Sequence, residues 1–359
     1  MRDQRRIGIL TLHRSFNYGA VLQGWSLKKA CELLGHEVEV IDYNPYGSIP
    51  LSSMLRHRPS VIYRYLRHAQ IFGRFVKKHL NLTKYTKSSE WIKNNPPRED
   101  IYIVGSDMVW SKEVAGEIGD AYFLDFAPNT VWRIAYAAST GGNPIELSES
   151  QLEELRKFSA ISVRERQTVA SVQEKVEVPV IDVCDPTLLL TQEEYKKIEK
   201  KPLWLPKHYV VYFDLGGDPF CEDAVKMVSQ TFNIPIINLA GRYRSWTQYN
   251  YLAPTLEQWL YILHHADFVC TNSYHGAALS IIFRRPFFSC KAHVGGQVKS
   301  NGRAENLLEQ TNLLDRYVDD INQVKALLKT KIIYDEESIN QYRNRSLEWL
   351  KNAIKDEKS

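Results

Sequence analysis

The sequence has few cysteines and no long hydrophobic run. Its five cysteines are widely spaced along 359 residues and form no CxxC or CxxH pattern. This argues against a disulfide framework and against the common zinc-binding motifs, and it favours a reducing cytoplasm. The opening segment MRDQRRIGILTLHRS has only about five apolar residues, too few for a secretory signal. No run approaches the roughly 18 apolar residues of a membrane span. We therefore expect a cytoplasmic protein without a metal site.

The chain also lacks internal repeats and low-complexity segments. Its hydrophobic share of 44% and charged share of 25% are typical of a soluble globular protein. Because 359 residues exceed what one hydrophobic core usually supports, we expect two domains. The segment TQEEYKKIEKKPLWLPK is charged and then proline-punctuated, which indicates a domain junction. We predict an N-terminal domain over 1–196, a C-terminal domain over 197–335 and a helical tail over 336–359.

Short apolar segments alternate with amphipathic segments of helical length in both predicted domains. RIGILTL, AVLQGWSLKKACELLG and HEVEVIDY predict a strand, a helix and a strand, which form a βαβ unit. Further strands are predicted at DIYIVGS, RIAYAAS, AISVRE and VPVIDVC, and a second series begins at HYVVYFDLGG. This alternation indicates an α/β protein with two Rossmann-like domains and mainly parallel sheets. We expect the domains to face a central cleft and the C-terminal helix to cross back to the first domain.

A basic insertion over residues 45–98 interrupts the alternation. Residues 51–100 contain 11 Lys or Arg and three Asp or Glu, although the whole chain has a net charge of only +4. One interpretation is a solvated basic face on helices that pack by their aromatic side. The other is contact of residues 51–98 with an anionic surface, either inner-membrane phospholipid or the pyrophosphate of a lipid-linked acceptor. No nucleic-acid-binding motif accompanies the charge, so nucleic acid is not expected.

The segment CTNSYHGAALSIIFRRPF places a histidine between a predicted strand and a predicted helix. At such a junction, backbone N–H groups and the helix dipole favour an anion, and Ser273 and Gly276 leave room for one. Imidazole is the side chain that most readily exchanges protons near neutral pH. His275 is therefore a candidate acid or base, and a capping or core histidine is the alternative.

The segment TNSYHGAALSIIFRRPF resembles the corresponding part of the polysaccharide pyruvyl transferase family. The opening IGILTLHRSFNYGAVLQGWSLKKACELLGHEVEVIDYNP, the segments DIYIVGSDMVWS, AISVRERQTV and DVCDPTLLL, and the late GRAENLLEQTNL also resemble family landmarks. They follow in family order and span residues 7 to 316, which is nearly the whole chain.

The resemblance implies a GT-B-like architecture and an enzyme that uses phosphoenolpyruvate. Such an enzyme would transfer a pyruvyl group to two hydroxyl groups of a sugar in a surface or capsular polysaccharide precursor, forming a pyruvate ketal and releasing phosphate. The acceptor would be a sugar or a lipid-linked oligosaccharide. The resemblance implies no metal and no cofactor, with phosphoenolpyruvate as co-substrate.

The resemblance also implies roles for individual residues. His275 matches the position of the acid or base, and Arg164 in SVRERQT matches a V-R-E position suited to holding an anion. Lys299 and Arg303 in GGQVKSNGR would close over the donor as a mobile loop. The residues assigned to the donor are Arg164, Ser273, Gly276, Lys299 and Arg303, and those assigned to catalysis are His275 and Arg164.

Two loops at predicted strand ends are the candidates for acceptor binding. They are HRSFNYGA, with Asn17, Tyr18 and Gly19, and GSDMVW, with Ser106, Asp107 and Trp110. Structural roles are the alternatives: Asn17 as a helix N-cap, Asp107 as a turn former and Trp110 as a packing residue.

The chain departs from the family pattern at Ser273, where many members carry an arginine two residues before the histidine. Two other functions remain open. One is a glycosyltransferase that uses a sugar nucleotide, for which Gly241 and Arg242 could bind a diphosphate. The other is a protein that binds glycan or lipid-linked intermediates without catalysis, through the basic insertion.

Overall fold

The computed structural model describes residues 4–45, 59–112, 120–294, 297–299 and 302–355. The chain forms two compact units, Met1–Leu189 together with Arg343–Ser359, and Leu190–Tyr342. The second unit thus begins slightly before the junction expected at residue 197. The chain returns to the first unit at Arg343, within the predicted C-terminal tail.

In the first unit, the described residues form a six-stranded sheet in which every paired strand is parallel. The strands are β1 (Arg6–Leu10), β2 (Glu37–Val40), β3 (Ile101–Val104), β4 (Trp132–Ala138), β5 (Ala160–Val163) and β6 (Val180–Asp182). Their order across the sheet is β2-β1-β3-β4-β5-β6. The central strand β3 is buried along its whole length, as expected for a parallel sheet covered on both faces.

Helices join these strands. They are α1 (Tyr18–Leu33), α2 (Pro59–His79), α3 (Ser89–Asn94), α4 (Glu149–Leu155), α5 (Val169–Gln173) and α6 (Pro186–Leu189). Helix α1 begins where Asn17 accepts hydrogen bonds from the N–H groups of Gly19 and Ala20. Helix α2 forms part of the basic insertion, whose residues 46–58 lie outside the described residues.

In the second unit, the described residues again form a parallel six-stranded sheet, in the order β14-β11-β10-β7-β8-β9. Its strands are β7 (Val210–Phe213), β8 (Ile236–Asn238), β9 (Tyr249–Asn250), β10 (Phe268–Thr271), β11 (Phe287–Cys290) and β14 (Tyr317–Val318). A separate antiparallel hairpin joins β12 (Ala292–Val294) to β13 (Gln297–Lys299). In the described part of the segment for which a mobile loop was expected, Lys299 ends β13 and Arg303 lies in a helix that begins at Gly302.

The remaining helices are α7 (Gln192–Lys196), α8 (Pro219–Phe232), α9 (Leu256–His264), α10 (Tyr274–Ile282), α11 (Gly302–Gln310), α12 (Ile321–Leu327) and α13 (Glu336–Lys355). Local sequence fixes their ends. Asp218 caps α8 ahead of Pro219, and Asn233 ends it in the left-handed conformation. Thr255 and Gln258 form a capping box at the start of α9.

The C-terminal helix α13 contributes to the first unit. The Ser346 hydroxyl accepts a hydrogen bond from the N–H of Cys184, and the indole of Trp132 donates to the carbonyl of Ala353. Ser346 is fully buried. The predicted return of this helix to the N-terminal domain is thereby confirmed.

Both sheets reverse their strand order in the same way. In the first, the chain passes from β1 outward to β2 and then continues from β3 on the other side of β1. In the second, it passes from β7 to β8 and β9 and then continues from β10 on the other side of β7. Ligands of open α/β sheets bind beside the carboxyl ends of the strands at such switch points. These points are β1/β3 in the first unit and β7/β10 in the second.

No described helix is both long enough and apolar enough to cross a lipid bilayer.

Candidate active site

The turn after β3 lies at the switch point of the first sheet. Gly105 has a φ of +124°, and a Cβ added there would lie 2.1 Å from the carbonyl oxygen of Tyr136. Only glycine fits this close approach to β4. The turn brings the Ser106 hydroxyl to 2.8 Å from the carbonyl oxygen of Ala137 and holds Asp107 at a φ of 67°. Ser106 and Asp107, which were predicted to bind the sugar acceptor, therefore lie at the expected edge of the sheet. Both are largely buried.

Arg164 lies in a buried network of carboxylates beside this turn. Its guanidinium contacts Asp185 at 2.9 Å, Glu165 at 3.1 Å and Asp107 at 3.8 Å. Its side chain is 1% exposed. The positive charge is thus compensated within the unit, and the geometry does not support Arg164 as a direct ligand of a donor anion. We reassign it as a residue that positions Asp107 and Asp185.

The loop after β1 carries the other residues that were predicted to bind the sugar acceptor. Asn17 is exposed but caps α1, which is the structural role that its residue type favours. Tyr18 is 8% exposed, with its ring 4.9 Å from that of Phe72. Burial raises the pKa of the Tyr18 hydroxyl well above its usual value. Gly19 is buried in the first turn of α1, where its N–H donates to Asn17.

Trp110 does not lie at the surface. Its ring is 2% exposed, stacks on Phe123 with centroids 5.8 Å apart, and donates its indole N–H to the carbonyl of Tyr122. Stacking of Trp110 on a sugar is therefore wrong, and the indole is a core residue. A tryptophan after a strand can pack inward or outward, and the local sequence does not distinguish the two.

Sequence reasoning missed a charged cluster at the ends of β1 and β2. Arg14 binds both carboxylate oxygens of Asp42 at 2.6 Å, and His13 lies 3.1 Å from the same carboxylate. Burial opposes ionisation of Asp42, but the hydrogen bonds from His13 and Arg14 prevail and lower its pKa. The only sequence signal was a pair of polar residues, His13 and Arg14, directly after a buried strand.

A small cavity of about 210 Å³ lies beside this cluster within the first unit. Its lining combines the guanidinium of Arg14 with hydroxyl, amide and aromatic side chains. These include Thr11, Ser15, Tyr43, Asn44 and Tyr122. Hydrogen-bonding groups beside aromatic surface are the usual lining of a pocket that binds a polar small molecule.

His275 lies at the switch point of the second sheet, in the first turn of α10 and directly beyond β10. It is 7% exposed, and its ring lies edge-on to that of Tyr274 at 5.2 Å. Ser273 is the N-cap residue of α10, but its side chain makes no capping hydrogen bond. The first turn of this helix thus differs from those of α8 and α9, which are capped by Asp218 and Thr255.

Gly276 brings α10 against β10. A Cβ on Gly276 would lie 2.5 Å from Oγ1 of Thr271, a hydroxyl that donates to the carbonyl of Phe213 and accepts from the N–H of Ser273. Glycine is therefore required by packing between helix and strand. This contact fixes the position of the helix start, and with it the position of His275.

A second missed residue, Asp214, organises the neighbouring loop after β7. Its carboxylate accepts from the N–H of Asp218 at 2.8 Å and from the hydroxyl of Tyr212 at 2.9 Å. It also accepts from the side-chain amide of Asn272, which precedes Ser273. Burial, reinforced by the nearby Asp214 charge, raises the pKa of Tyr212 far above its usual value. The sequence signal was an aspartate followed by Leu-Gly-Gly at a strand end.

The remaining predicted residues belong to other elements of the second unit. Lys299 ends β13, and Arg303 lies in the first turn of α11, half-buried. Arg242, considered for a diphosphate, follows β8 and is exposed; its carbonyl accepts from the side chain of Asn238.

The family model for polysaccharide pyruvyl transferase matches residues 17–293. The chain belongs to this family. It is therefore a transferase, and the matched region contains His275, Arg164 and both loops of the first sheet edge. Lys299 and Arg303 follow the matched region. Among curated proteins, none matches this member of the polysaccharide pyruvyl transferase family significantly.

Solved structures similar to this pyruvyl transferase family member share its fold at low identity. UDP-N-acetylglucosamine 2-epimerase from Rickettsia bellii aligns over 97% of this chain and 94% of its own, at 10% identity and a TM-score of 0.53. S. aureus MnaA with UDP aligns over 98% and 96%, at 12% identity and a TM-score of 0.51. Arabidopsis thaliana UGT89C1 with UDP-L-rhamnose aligns over 98% and 98%, at 10% identity and a TM-score of 0.51. The predicted GT-B-like fold is confirmed.

Proposed function

We propose that this family member transfers the pyruvyl group of phosphoenolpyruvate to two hydroxyl groups of one sugar in a surface or capsular polysaccharide precursor. The match to the family over residues 17–293 carries the proposal, because this region includes His275 and its surroundings. Phosphoenolpyruvate provides the required three-carbon unit already bonded to a leaving group. The products are a pyruvate ketal and phosphate.

Ketal formation has a simple atom balance. Two sugar oxygens bond to C2 of the donor, and the bond from C2 to the phosphate oxygen breaks. Both sugar hydroxyl groups lose a proton; one proton ends on the donor methylene carbon, which becomes methyl, and the other leaves with phosphate. At least one acid-base group is needed, and positioned imidazole is the commonest such group in enzymes. We assign this role to His275.

The donor carries a phosphate and a carboxylate, and both need fixed positive partners. The first turn of α10 offers backbone N–H groups and the positive end of a helix dipole, without a capping bond from the Ser273 side chain. Lys299 and Arg303 remain candidates for the additional cations. Because Arg164 is held by carboxylates, these two side chains replace it in the proposal.

We assign acceptor binding to the carboxyl edge of the first sheet. Asn17, Tyr18 and Gly19 follow β1, and Ser106 and Asp107 follow β3, so both loops belong to the switch point of that sheet. The cavity beside Arg14 adds hydroxyl and guanidinium groups at the same edge. Sugar hydroxyl groups are oriented by hydrogen-bonding groups of this kind.

We further propose that α2 contacts the anionic cytoplasmic face of the membrane, where a lipid-linked acceptor would be presented. Tyr63 is 72% exposed and Leu66 is 54% exposed, and they stand among basic side chains of the same helix. The basic residues are Arg64, Arg67, Arg74, Lys77 and Lys78. A basic helix with exposed apolar residues suits the headgroup region of anionic lipids.

The experiment supplies purified protein with phosphoenolpyruvate and a panel of lipid-linked and nitrophenyl sugars. We expect phosphate release that depends on the acceptor, and an acceptor mass increased by one pyruvate ketal. Parallel reactions supply UDP-sugars instead. Sugar transfer from these, with no ketal from phosphoenolpyruvate, would replace the proposal with the glycosyltransferase alternative.

His275→Asn tests the assigned catalyst. Loss of general acid-base catalysis typically costs about 10²- to 10⁴-fold in rate, and we expect a loss in this range. The matched control is His208→Asn, which changes an exposed histidine of the same unit that pairs with Asp267. An unchanged rate for His275→Asn would remove His275 from the mechanism even if the ketal product were confirmed.

A further inference from the structure

Two histidines and a glutamate converge in the second unit, away from the edge that carries His275. His264 is the last residue of α9 and His265 caps its C-terminus, just before β10 begins at Phe268. Glu199 follows the short helix α7. His275 lies beyond the opposite, carboxyl end of β10, so the reaction proposed above does not use this cluster.

The three side chains bring possible ligand atoms close together. Nδ1 of His264 lies 2.8 Å from one carboxylate oxygen of Glu199, and Nε2 of His265 lies 4.0 Å from the other. One ligand atom from each residue lies within 4.8 Å of the other two. Tetrahedral zinc with bonds of about 2.0–2.1 Å places its ligand atoms about 3.3 Å apart. The observed distances bracket this value, so small side-chain movements would complete the geometry.

We propose that Glu199, His264 and His265 form a binding site for a divalent transition metal ion, with zinc as the best-fitting class. Two imidazole nitrogens and one carboxylate oxygen form a common protein ligand set for zinc and leave a fourth position for water. Imidazole ligands disfavour magnesium and calcium, which prefer oxygen. The proposal departs from the sequence-based expectation of no metal, because no spacing motif joins Glu199 to residues 264 and 265.

The surroundings hold the ligands in place. The His264 ring stacks on Phe283 with centroids 4.5 Å apart, and its Nε2 lies 3.1 Å from the side-chain amide of Gln192. If Nδ1 of His264 binds the metal, Nε2 of the same ring carries the proton. Rotation of the Gln192 side-chain amide by 180° then places the amide oxygen where it accepts a hydrogen bond from Nε2. Such support of the second ring nitrogen is typical of metal-bound histidine.

His265 is suited to the same role. Its ring packs edge-on against Tyr261 with centroids 3.9 Å apart, and its side chain is 35% exposed, which leaves a path for the ion.

A bound ion would have a structural role. Glu199 belongs to the segment that opens the second unit after Leu190, whereas His264 and His265 end α9. Coordination would tie this segment to the helix. An ion that binds the folded state and not the unfolded chain raises the unfolding temperature, so the second unit should become more stable.

The test uses full-length protein freed of metal with a chelator and titrated with zinc in a calorimeter. We expect one site per chain and a higher unfolding temperature with zinc. Cobalt(II), used as a spectroscopic probe, should give visible absorption bands of a site with nitrogen ligands. Absence of stoichiometric zinc binding to the wild-type protein would overturn the proposal.

Three variants identify the ligands. Glu199→Gln and His265→Gln should each weaken zinc binding by at least about tenfold, since even changes outside the ligand shell can cost that much. His208→Gln is the matched control, because its pair with Asp267 at 3.2 Å belongs to no group of three possible metal ligands among the residues that the structure describes. Circular dichroism of each variant checks folding. Glu199→Gln and His265→Gln each change a ligand and leave the buried, stacked ring of His264 in place. Wild-type affinity in both folded variants would contradict the assignment.

Discussion

The guanidinium of Arg164 and the carboxylate of Asp185 lie 2.9 Å apart in the interior of the first unit, with side chains 1% and 0% exposed. Asp185 also accepts hydrogen bonds from the N–H and hydroxyl of Thr187. The carboxylate therefore links β5 to the start of α6. Arg164 is better understood as part of this internal framework than as a ligand of substrate.

Replacing Arg164 by methionine should reduce the free energy of unfolding. The change leaves Asp185 and Glu165 as buried charges without their guanidinium partner, and breaking a buried ion pair typically costs about 3–5 kcal/mol. Urea denaturation followed by circular dichroism measures the effect. Lys112→Ala, which breaks an exposed pair with Glu146 in the same unit, should leave the unfolding midpoint unchanged. A stable Arg164→Met protein that has lost affinity for phosphoenolpyruvate would instead restore Arg164 as a donor ligand.

Gly276→Ala should both destabilise the second unit and slow pyruvyl transfer. The new Cβ would lie 2.5 Å from Oγ1 of Thr271, which forces α10 and His275 away from β10. Overpacking of this kind costs about 1–3 kcal/mol. The control is Gly73→Ala on α2, where an added Cβ meets nothing within 4 Å.

Because alanine favours a helix over glycine by about 0.5–1 kcal/mol, Gly73→Ala should be neutral or stabilising. Thermal unfolding and the rate of ketal formation are measured for both proteins. Equal stability and activity of the two variants would show that the contact between Gly276 and Thr271 has little influence.

The first unit should lose stability as the pH rises from about 5 to 8. Glu99 lines a cavity of about 780 Å³ near the beginnings of the strands, and burial, followed by the charge of Glu39, raises its pKa to about 7. A carboxyl group whose pKa is higher in the folded state binds its proton more tightly there. The stability that the protonated Glu99 contributes is fully present below the pKa of the unfolded chain, about 4.3. This stability is lost as the pH rises through the pKa of Glu99 in the folded protein.

Glu99→Gln removes this titration and should flatten the dependence of the urea midpoint on pH. Glu39→Gln should produce a smaller effect in the same direction, because it removes only the neighbouring charge and leaves the burial of Glu99. Midpoints at pH 5, 6, 7 and 8 provide the comparison. A wild-type slope that persists in Glu99→Gln would assign the titration to another group.

Helix α2 should bind vesicles that contain anionic lipid, and this binding should weaken with salt. Each basic side chain near such a surface contributes roughly 1 kcal/mol, so neutralising all five with glutamine should lower partitioning by at least about 100-fold. The five positions are Arg64, Arg67, Arg74, Lys77 and Lys78. The measurement is cosedimentation with vesicles of phosphatidylserine and phosphatidylcholine.

The control for charge neutralises five lysines of the second unit, Lys196, Lys197, Lys200, Lys201 and Lys207, and should retain binding. Tyr63→Ser with Leu66→Ser tests the apolar contribution. An equal loss of vesicle binding in both charge variants would indicate a general electrostatic effect. Undiminished vesicle binding by the α2 variant would show that the basic residues of α2 form a solvated face.

The elements of the fold could be predicted because their signals are local. Apolar segments such as IYIV at β3 and VVYF at β7 are buried along their whole length, and their short apolar runs with β-branched residues predict strands. The placement of His275 at the end of β10 also followed from the sequence. The strand that precedes it and the helix that follows it are each determined by residues close in the chain.

The partners of buried polar groups could not be predicted, because they depend on contacts distant in sequence. Asp185 lies 21 residues from Arg164, and Glu199 lies 65 residues from His264. Which charges meet depends on the strand order and on the helices that cover each sheet. The orientation of the Trp110 side chain could not be predicted for the same reason. Its ring packs in the core against Phe123 and Phe158, which are distant in sequence.

The contribution of α13 to the first unit has a consequence for biosynthesis. The backbone N–H of Cys184 donates to the hydroxyl of Ser346, and the indole N–H of Trp132 donates to the carbonyl of Ala353. During translation these partners leave the ribosome only after the whole of the second unit, Leu190–Tyr342, has been made. The first unit to emerge is therefore the last to be completed, and a nascent or C-terminally shortened chain would expose an unfinished surface to chaperones and proteases.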